Sequence, residues 1–267
     1  MRRLAAAALL AALMWPAGAA AVEQRGWKPG VAAARAYAQH RPGTISFAVR
    51  TADDFYGLAP DRTFSSASVV KAMLLVAYLR RSDVRARPLR GDERALLDPM
   101  IRRSDNAAAT AIRDRIGNDA VERLARAAGM TRFRPAPAWG LSTITASDQT
   151  RFFLRIEDLL PRRHRAYALR LLRTVVPSQR WGVARVKPAG WRLYFKGGWG
   201  SGSGIVNHQV ALLARHDARI AVAVLTTRSP GHVYATTTLR GVFRRLLRGL
   251  APRLRGTARP GGAALRG

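Results

Sequence analysis

Residues 64–79 read Phe-Ser-Ser-Ala-Ser-Val-Val-Lys-Ala-Met-Leu-Leu-Val-Ala-Tyr-Leu, and this stretch decides the fold. From Ser68 onward, Val69, Ala72, Met73, Val76 and Leu79 recur at the i, i+3, i+4, i+7 spacing of a helix with one buried face. Ser65, Ser66 and Ser68 stand where that helix should start. Ser68 and Lys71 are three residues apart, so on a helix their side chains share a face, where an amine can take the proton of a hydroxyl. Chance alone supplies about one Ser-x-x-Lys pair in a chain of this length. Composition gives this one weight, because only four of the 46 basic residues are lysines, at 28, 71, 187 and 196. Arginine is effectively never deprotonated, whereas a desolvated lysine can lose its proton and serve as a base.

Upstream, Arg2 and Arg3 precede an apolar run over residues 4–15, then Pro16 and the small residues Ala17, Gly18 and Ala19. This pattern predicts a cleaved signal peptide over residues 1–21, too short to span a membrane. The mature protein is then expected to be exported, either secreted or associated with the cell envelope. Residues 22–250 are long enough for one substantial core or a core split into two lobes. Residues 251–267 are Pro, Gly and Arg without periodicity and read as a flexible basic tail.

The chain has no cysteine, which excludes disulfides, thiol chemistry and lipid attachment through that residue. A formal charge of +30 points to anionic surroundings, nucleic acid or, for an exported protein, acidic envelope polymers. Nucleic acid is the weaker reading: the arginines are dispersed along solvated helix faces, and no nucleic-acid motif appears. The five histidines, at 40, 164, 208, 216 and 232, lack metal-ligand spacing. No cofactor, metal or partner chain is expected, and the protein should be a monomer.

Along the chain, periodicity predicts a helix over 30–39, a strand over 44–51 and a second strand ending near Phe64. Helices follow the Ser68 stretch over 92–102 and 107–116, with Ser104-Asp105-Asn106 as a cap between them. Residues 131–139 form a loop, Ser147 or Asp148 caps a helix reaching Leu160, and residues 162–174 are helical. Strands are expected over 191–196, 206–215 and 219–227, and a last helix over 233–250. The fold class is therefore α/β in the α+β sense: one antiparallel sheet of first and last strands flanked by helices, with an inserted all-helical lobe and an active site in the cleft between them.

Three elements fall at that cleft in order: Ser68-Val69-Val70-Lys71, Ser104-Asp105-Asn106 and Lys196-Gly197-Gly198-Trp199-Gly200. Together they resemble the signatures of class A β-lactamases and penicillin-binding proteins, over nearly the whole mature chain. The resemblance implies Ser68 as acylated nucleophile, Lys71 as its activator and Ser104 as proton relay to the leaving nitrogen. It implies Asn106 as a holder of substrate and Lys71, and Asp105 as a structural residue. Lys196, Gly198 and Trp199 would form the substrate strand, with Lys196 lending positive potential and the N–H groups of Ser68 and Trp199 forming the oxyanion hole. The substrate would be a β-lactam or a cell-wall peptide.

Two departures qualify the resemblance. Residues 131–147 contain no Asp or Glu, so the carboxylate that activates the deacylating water in the lactamases has no counterpart there, and the acyl-enzyme should hydrolyse slowly. Gly197 stands where the strand motif usually has Thr or Ser, and either Ser201 or Ser203 replaces that hydroxyl or a flexible loop does not. Three functions stay open: a β-lactamase-like hydrolase, a D-alanyl-D-alanine peptidase-type protein, and a non-catalytic cell-wall-binding relative. Of Trp139, Trp181, Trp191 and Trp199, some should line the cleft and at least two belong to the core.

Overall fold

A computed structural model describes residues 26–200 and 205–250. The expected signal peptide, the basic tail, Ser201 and Ser203 lie outside the described residues. Helix α1 (Val31–Gln39) precedes strands β1 (Thr44–Arg50), β2 (Phe55–Leu58) and β3 (Thr63–Ser65). A 3₁₀ turn, Ala67–Val70, then feeds helix α2 (Lys71–Leu79), followed by α3 (Gly91–Arg102) and α4 (Asn106–Ala127). After β4 (Thr143–Thr145) come α5 (Ala146–Leu154), α6 (Ile156–Leu159) and α7 (Arg162–Arg173). Strands β5 (Arg192–Gly200), β6 (Val206–Arg215) and β7 (Ala218–Thr227) and helix α8 (His232–Leu246) complete the described fold.

The main sheet is antiparallel in the order β2-β1-β7-β6-β5, so the first strands sit beside the last, as the order of elements along the chain predicts. Side-chain alternation divides its two faces. Phe47, Val49, Phe195, Leu213, Val222 and Val224 pack under α1 and α8 with Leu239, Phe243 and Leu246. Ala48, Val210, Leu212, Ala221, Ala223 and Leu225 meet the helical lobe through Phe152, Phe153 and Leu74. The alanines on this second face let α5 lie close to the sheet. Each large side chain buried here contributes about 2 kcal/mol relative to exposure.

Several elements differ from the sequence expectation for identifiable reasons. The strand expected to end near Phe64 is two: β2 joins the main sheet, and β3 pairs with β4 in a separate ribbon. Helix α4 runs past Gly117, whose φ of 70° and ψ of 167° put a kink where the periodicity stops. The helix-start serines do not cap: Ser66 Oγ turns toward the carbonyls of Trp139 and Gly140, at 3.1 and 3.3 Å. Helix α2 buries all nine of its residues rather than one face, because it is the central helix of its lobe.

Candidate active site

Each catalytic candidate sits at a junction of elements. Ser68 lies in the 3₁₀ turn immediately before α2, with 8% of its surface exposed, and Lys71 opens α2 fully buried. Helix α3 ends at Arg102 with Arg103 as its C-cap, and Ser104 follows with φ of 60°, the left-handed conformation that glycine usually supplies after a helix. A serine accepts that strain of about 1 kcal/mol where its hydroxyl has work to do. Asp105 then caps α4, its Oδ1 accepting from Ala108 N at 2.8 Å, which aims Asn106 back toward Lys71. Asp105 is thus a structural residue, as its place in the tripeptide suggests.

The lysines converge on this corner. Lys71 Nζ donates to the Ser104 carbonyl at 2.5 Å, to Asn106 Oδ1 at 2.7 Å and toward Ser104 Oγ at 3.3 Å. Lys196, fully buried on β5, donates to Ser104 Oγ at 3.0 Å and to the Gly197 carbonyl at 2.8 Å. Burial holds Lys71 down at about 8, against a smaller upward pull from Asp105. Burial, reinforced by the charge of Lys71, holds Lys196 well below the usual lysine range. Ser68 Oγ has no hydrogen-bond partner among the described residues; three acceptors take up the three N–H bonds of a protonated Lys71.

Strand β5 is the edge of the sheet beside the cleft. Gly198 has no room for a side chain: a Cβ would stand 2.8 Å from both Ser68 N and Val69 N and 3.1 Å from Ser66 O. That approach sets the backbone at Gly198 and Trp199 against the start of the Ser68 turn. A cleft of about 320 Å³ is lined by Ala67, Ser68, Asn106, Trp139, Gly140, Leu141 and Trp199. None of these residues is acidic.

Two features account for what the sequence departures mean. Asp148, the first acid after the acid-free loop, is fully buried, and its carboxylate accepts from Thr131 N at 3.0 Å, Arg132 N at 2.7 Å and Arg151 at 3.1 Å. It pins the loop and is used up doing so. Trp139 instead faces the lysine, its ring centroid 4.6 Å from Lys71 Nζ and its Nε1 donating to Thr110 Oγ1 at 3.1 Å. Trp199 also lines the cleft, Trp191 is core, and Trp181 packs on Trp199.

Sequence reasoning missed Gln209, a buried amide that holds the chain at Trp181, and the part of His232, whose ring packs against Trp181 and Trp199. Gln209 carries a faint signal, the last of three polar residues before the apolar run over 210–214; His232 carries none. Among the described residues no group of three or more His, Asp or Glu side chains is placed to hold a metal.

Comparison with known proteins agrees with this geometry. A family model described as the beta-lactamase enzyme family matches residues 88–248, more than half of the chain. No curated protein matches the sequence. Among solved structures, the β-lactamase from Sphaerobacter thermophilus superposes with a TM-score of 0.70 at 23% identity, covering 84% of this chain and 98% of that one. The class A β-lactamase from Mycobacterium abscessus gives 0.71 at 20% identity, covering 83% and 99%. The last common ancestor of Gram-negative bacteria class A β-lactamase gives 0.70 at 22%, covering 85% and 98%. At these identities the likeness is one of fold, and it agrees with the antiparallel sheet and helical lobe described above. The chain belongs to the beta-lactamase enzyme family, serine hydrolases that act on amide bonds.

Proposed function

We propose that the protein is an exported enzyme whose Ser68 is acylated by a β-lactam or by a peptidoglycan-like peptide amide, and whose acyl-enzyme hydrolyses slowly. The observation that carries this reading is the convergence of Lys71 and Lys196 on Ser104, at 3.3 and 3.0 Å, beside a cleft that contains Ser68. A neutral Lys71 gives up one of its three N–H bonds and gains a lone pair, which takes the Ser68 proton as Oγ attacks the amide carbon. Charge on the carbonyl oxygen falls to the backbone N–H groups of Ser68 and Trp199. The proton then passes from Lys71 through Ser104 to the nitrogen as the C–N bond breaks, leaving a Ser68 ester and a free amine. Lys196 keeps the Ser104 hydroxyl oriented, and Asn106 holds both Lys71 and the substrate.

Slow deacylation follows from the other two features. Water attack on the ester needs a base, and the nearby carboxylate of Asp148 is committed to two backbone N–H groups and Arg151. Trp139, with its ring centroid 4.6 Å from Lys71 Nζ, covers one side of the amine with an indole that cannot act as a base. This favours the D-alanyl-D-alanine peptidase-type reading over efficient lactamase turnover. The preserved Ser68, Lys71, Ser104 and Asn106 set argues against a purely binding relative. The +30 charge suits a location among acidic envelope polymers. The experiment is a burst assay with a chromogenic cephalosporin: the proposal expects release of about one chromophore per protein followed by a slow phase. Fast steady turnover refutes slow deacylation, and no release at all counts against acylation by this class.

A further inference from the structure

The space beside Gly197 is taken up by a neighbouring side chain rather than left open. A Cβ built on Gly197 would stand 3.2 Å from both Cη2 and Cζ2 of Trp181, so the indole occupies the place a side chain would take. The indole is fixed there. Gln209, the cross-strand partner of Gly197, donates from Nε2 to the Trp181 carbonyl at 2.9 Å and accepts at Oε1 from Val183 N at 2.8 Å. Gly182 between them has φ of 58°, and a Cβ on it would fall 2.1 Å from Gln209 Oε1. Only glycine lets the chain pass that close.

Trp181 extends into an aromatic wall. Its ring meets Trp199 edge-on at 6.0 Å and His232 edge-on at 5.6 Å, and Trp199 and His232 lie 5.9 Å apart. His232 Nδ1 is held 2.7 Å from Asn207 Oδ1, and burial lowers the imidazole below its usual range, so the ring is neutral at neutral pH. Trp199, 37% exposed, carries this wall into the cleft that Ser68 and Trp139 also line. Among the described residues no arginine or lysine lines the cleft, and Lys196 directs two of its N–H bonds away from it, to Ser104 and Gly197. A carboxylate here would lose water without gaining a cationic partner, which costs more than it returns.

We propose that Trp181, Trp199 and His232 form a subsite for an uncharged aromatic or apolar group on the leaving side of the scissile amide, in place of a carboxylate. The side is set by Ser104 and Lys196, since the nitrogen that receives the Ser104 proton faces β5 and the wall beyond it. The inference rests on the acyl-transfer reading of Ser68. Within that reading it ranks an amide with a neutral leaving amine above a β-lactam, whose ring nitrogen has a carboxylate next to it.

The test separates binding from chemistry. On the Ser68→Ala protein, calorimetry compares N-acetyl-D-alanyl-benzylamide with N-acetyl-D-alanyl-D-alanine. The proposal expects the benzylamide to bind about tenfold tighter, the size of one buried aromatic contact. It expects Trp181→Ala to erase that preference, and Trp181→Leu, which keeps bulk beside Gly197, to erase it as well. Equal affinities, tighter binding of the carboxylate, a preference that survives both Trp181 variants, or no binding of either compound overturns it. Mass measurement of wild-type protein with the same compounds is the separate readout: an absent adduct beside a clear benzylamide preference defeats the acyl-transfer reading and leaves the subsite standing.

Discussion

Lys196 Nζ, buried on strand β5, donates to Ser104 Oγ at 3.0 Å. The second lysine, Lys71, reaches the same oxygen at 3.3 Å, and among the described residues neither amine is hydrogen-bonded to a carboxylate. Burial loosens the hold of both amines on their protons, and the charge of Lys71 adds to that effect at Lys196.

The pH dependence of acylation follows from Lys71, whose burial brings it to about 8. Only the unprotonated amine can accept the Ser68 proton, so the acylation rate should climb about tenfold per pH unit below 8 and level off above it. Lys71→Arg, which cannot deprotonate, should lose about 10³-fold or more. Stopped-flow acylation across pH 6–10 is the check; a flat profile or an active arginine variant contradicts the base assignment.

Ser104→Gly should separate strain from chemistry. Glycine adopts a φ of 60° without penalty, so the melting temperature should stay within about 3 °C of wild type while acylation falls about 100-fold. Calorimetry and acylation rates on the same preparation test it. A variant that keeps its rate removes Ser104 from the proton path.

Gly198→Ala should damage the site through its backbone. Its methyl would press on Ser68 N and Val69 N at 2.8 Å, atoms of a buried turn that cannot swing aside. Acylation should fall at least about 100-fold, with a lower melting temperature. Gly91→Ala, where nothing stands within 4 Å of the added carbon, is the control and should change neither rate nor adduct.

The parts of this fold legible in sequence are those where one pattern dominates. Strands β6 and β7 announce themselves by the apolar runs over 210–214 and 220–225, Ser68 and Lys71 by their spacing, and Ser104, Asn106 and Lys196 by the motif resemblance; the structure joins Lys71, Ser104, Asn106 and Lys196 by hydrogen bonds beside the cleft that Ser68 lines. What the pattern hides is set by tertiary contact. The α-helix begins at Lys71 rather than Ser68 because Ser66 Oγ is drawn to the carbonyls at 139 and 140, leaving the intervening turn 3₁₀. Strand β5 continues through Gly197 to Gly200, four residues past the expected end, because β6 supplies a ladder that glycines alone would not predict. Trp181 over Gly197 joins residues 16 positions apart through Gln209, a relationship with no local signature.

Asp148→Asn tests whether the first acid after the loop has any part in water activation. Loss of the charge-assisted bonds to Thr131 N, Arg132 N and Arg151 should cost about 2 kcal/mol of stability. The lifetime of a penicillin adduct should not change. Denaturant unfolding and the adduct's decay, measured in parallel, check both halves, and a longer-lived adduct would return Asp148 to the mechanism.

The central claim is that Ser68 takes an acyl group and keeps it. Intact-mass spectrometry of the protein with excess penicillin, followed over hours and repeated on Ser68→Ala, addresses that claim most directly. The account predicts a drug-sized mass increase on wild type alone that persists through the time course. An unmodified wild type, an adduct that also forms on Ser68→Ala, or one that clears within minutes would contradict it.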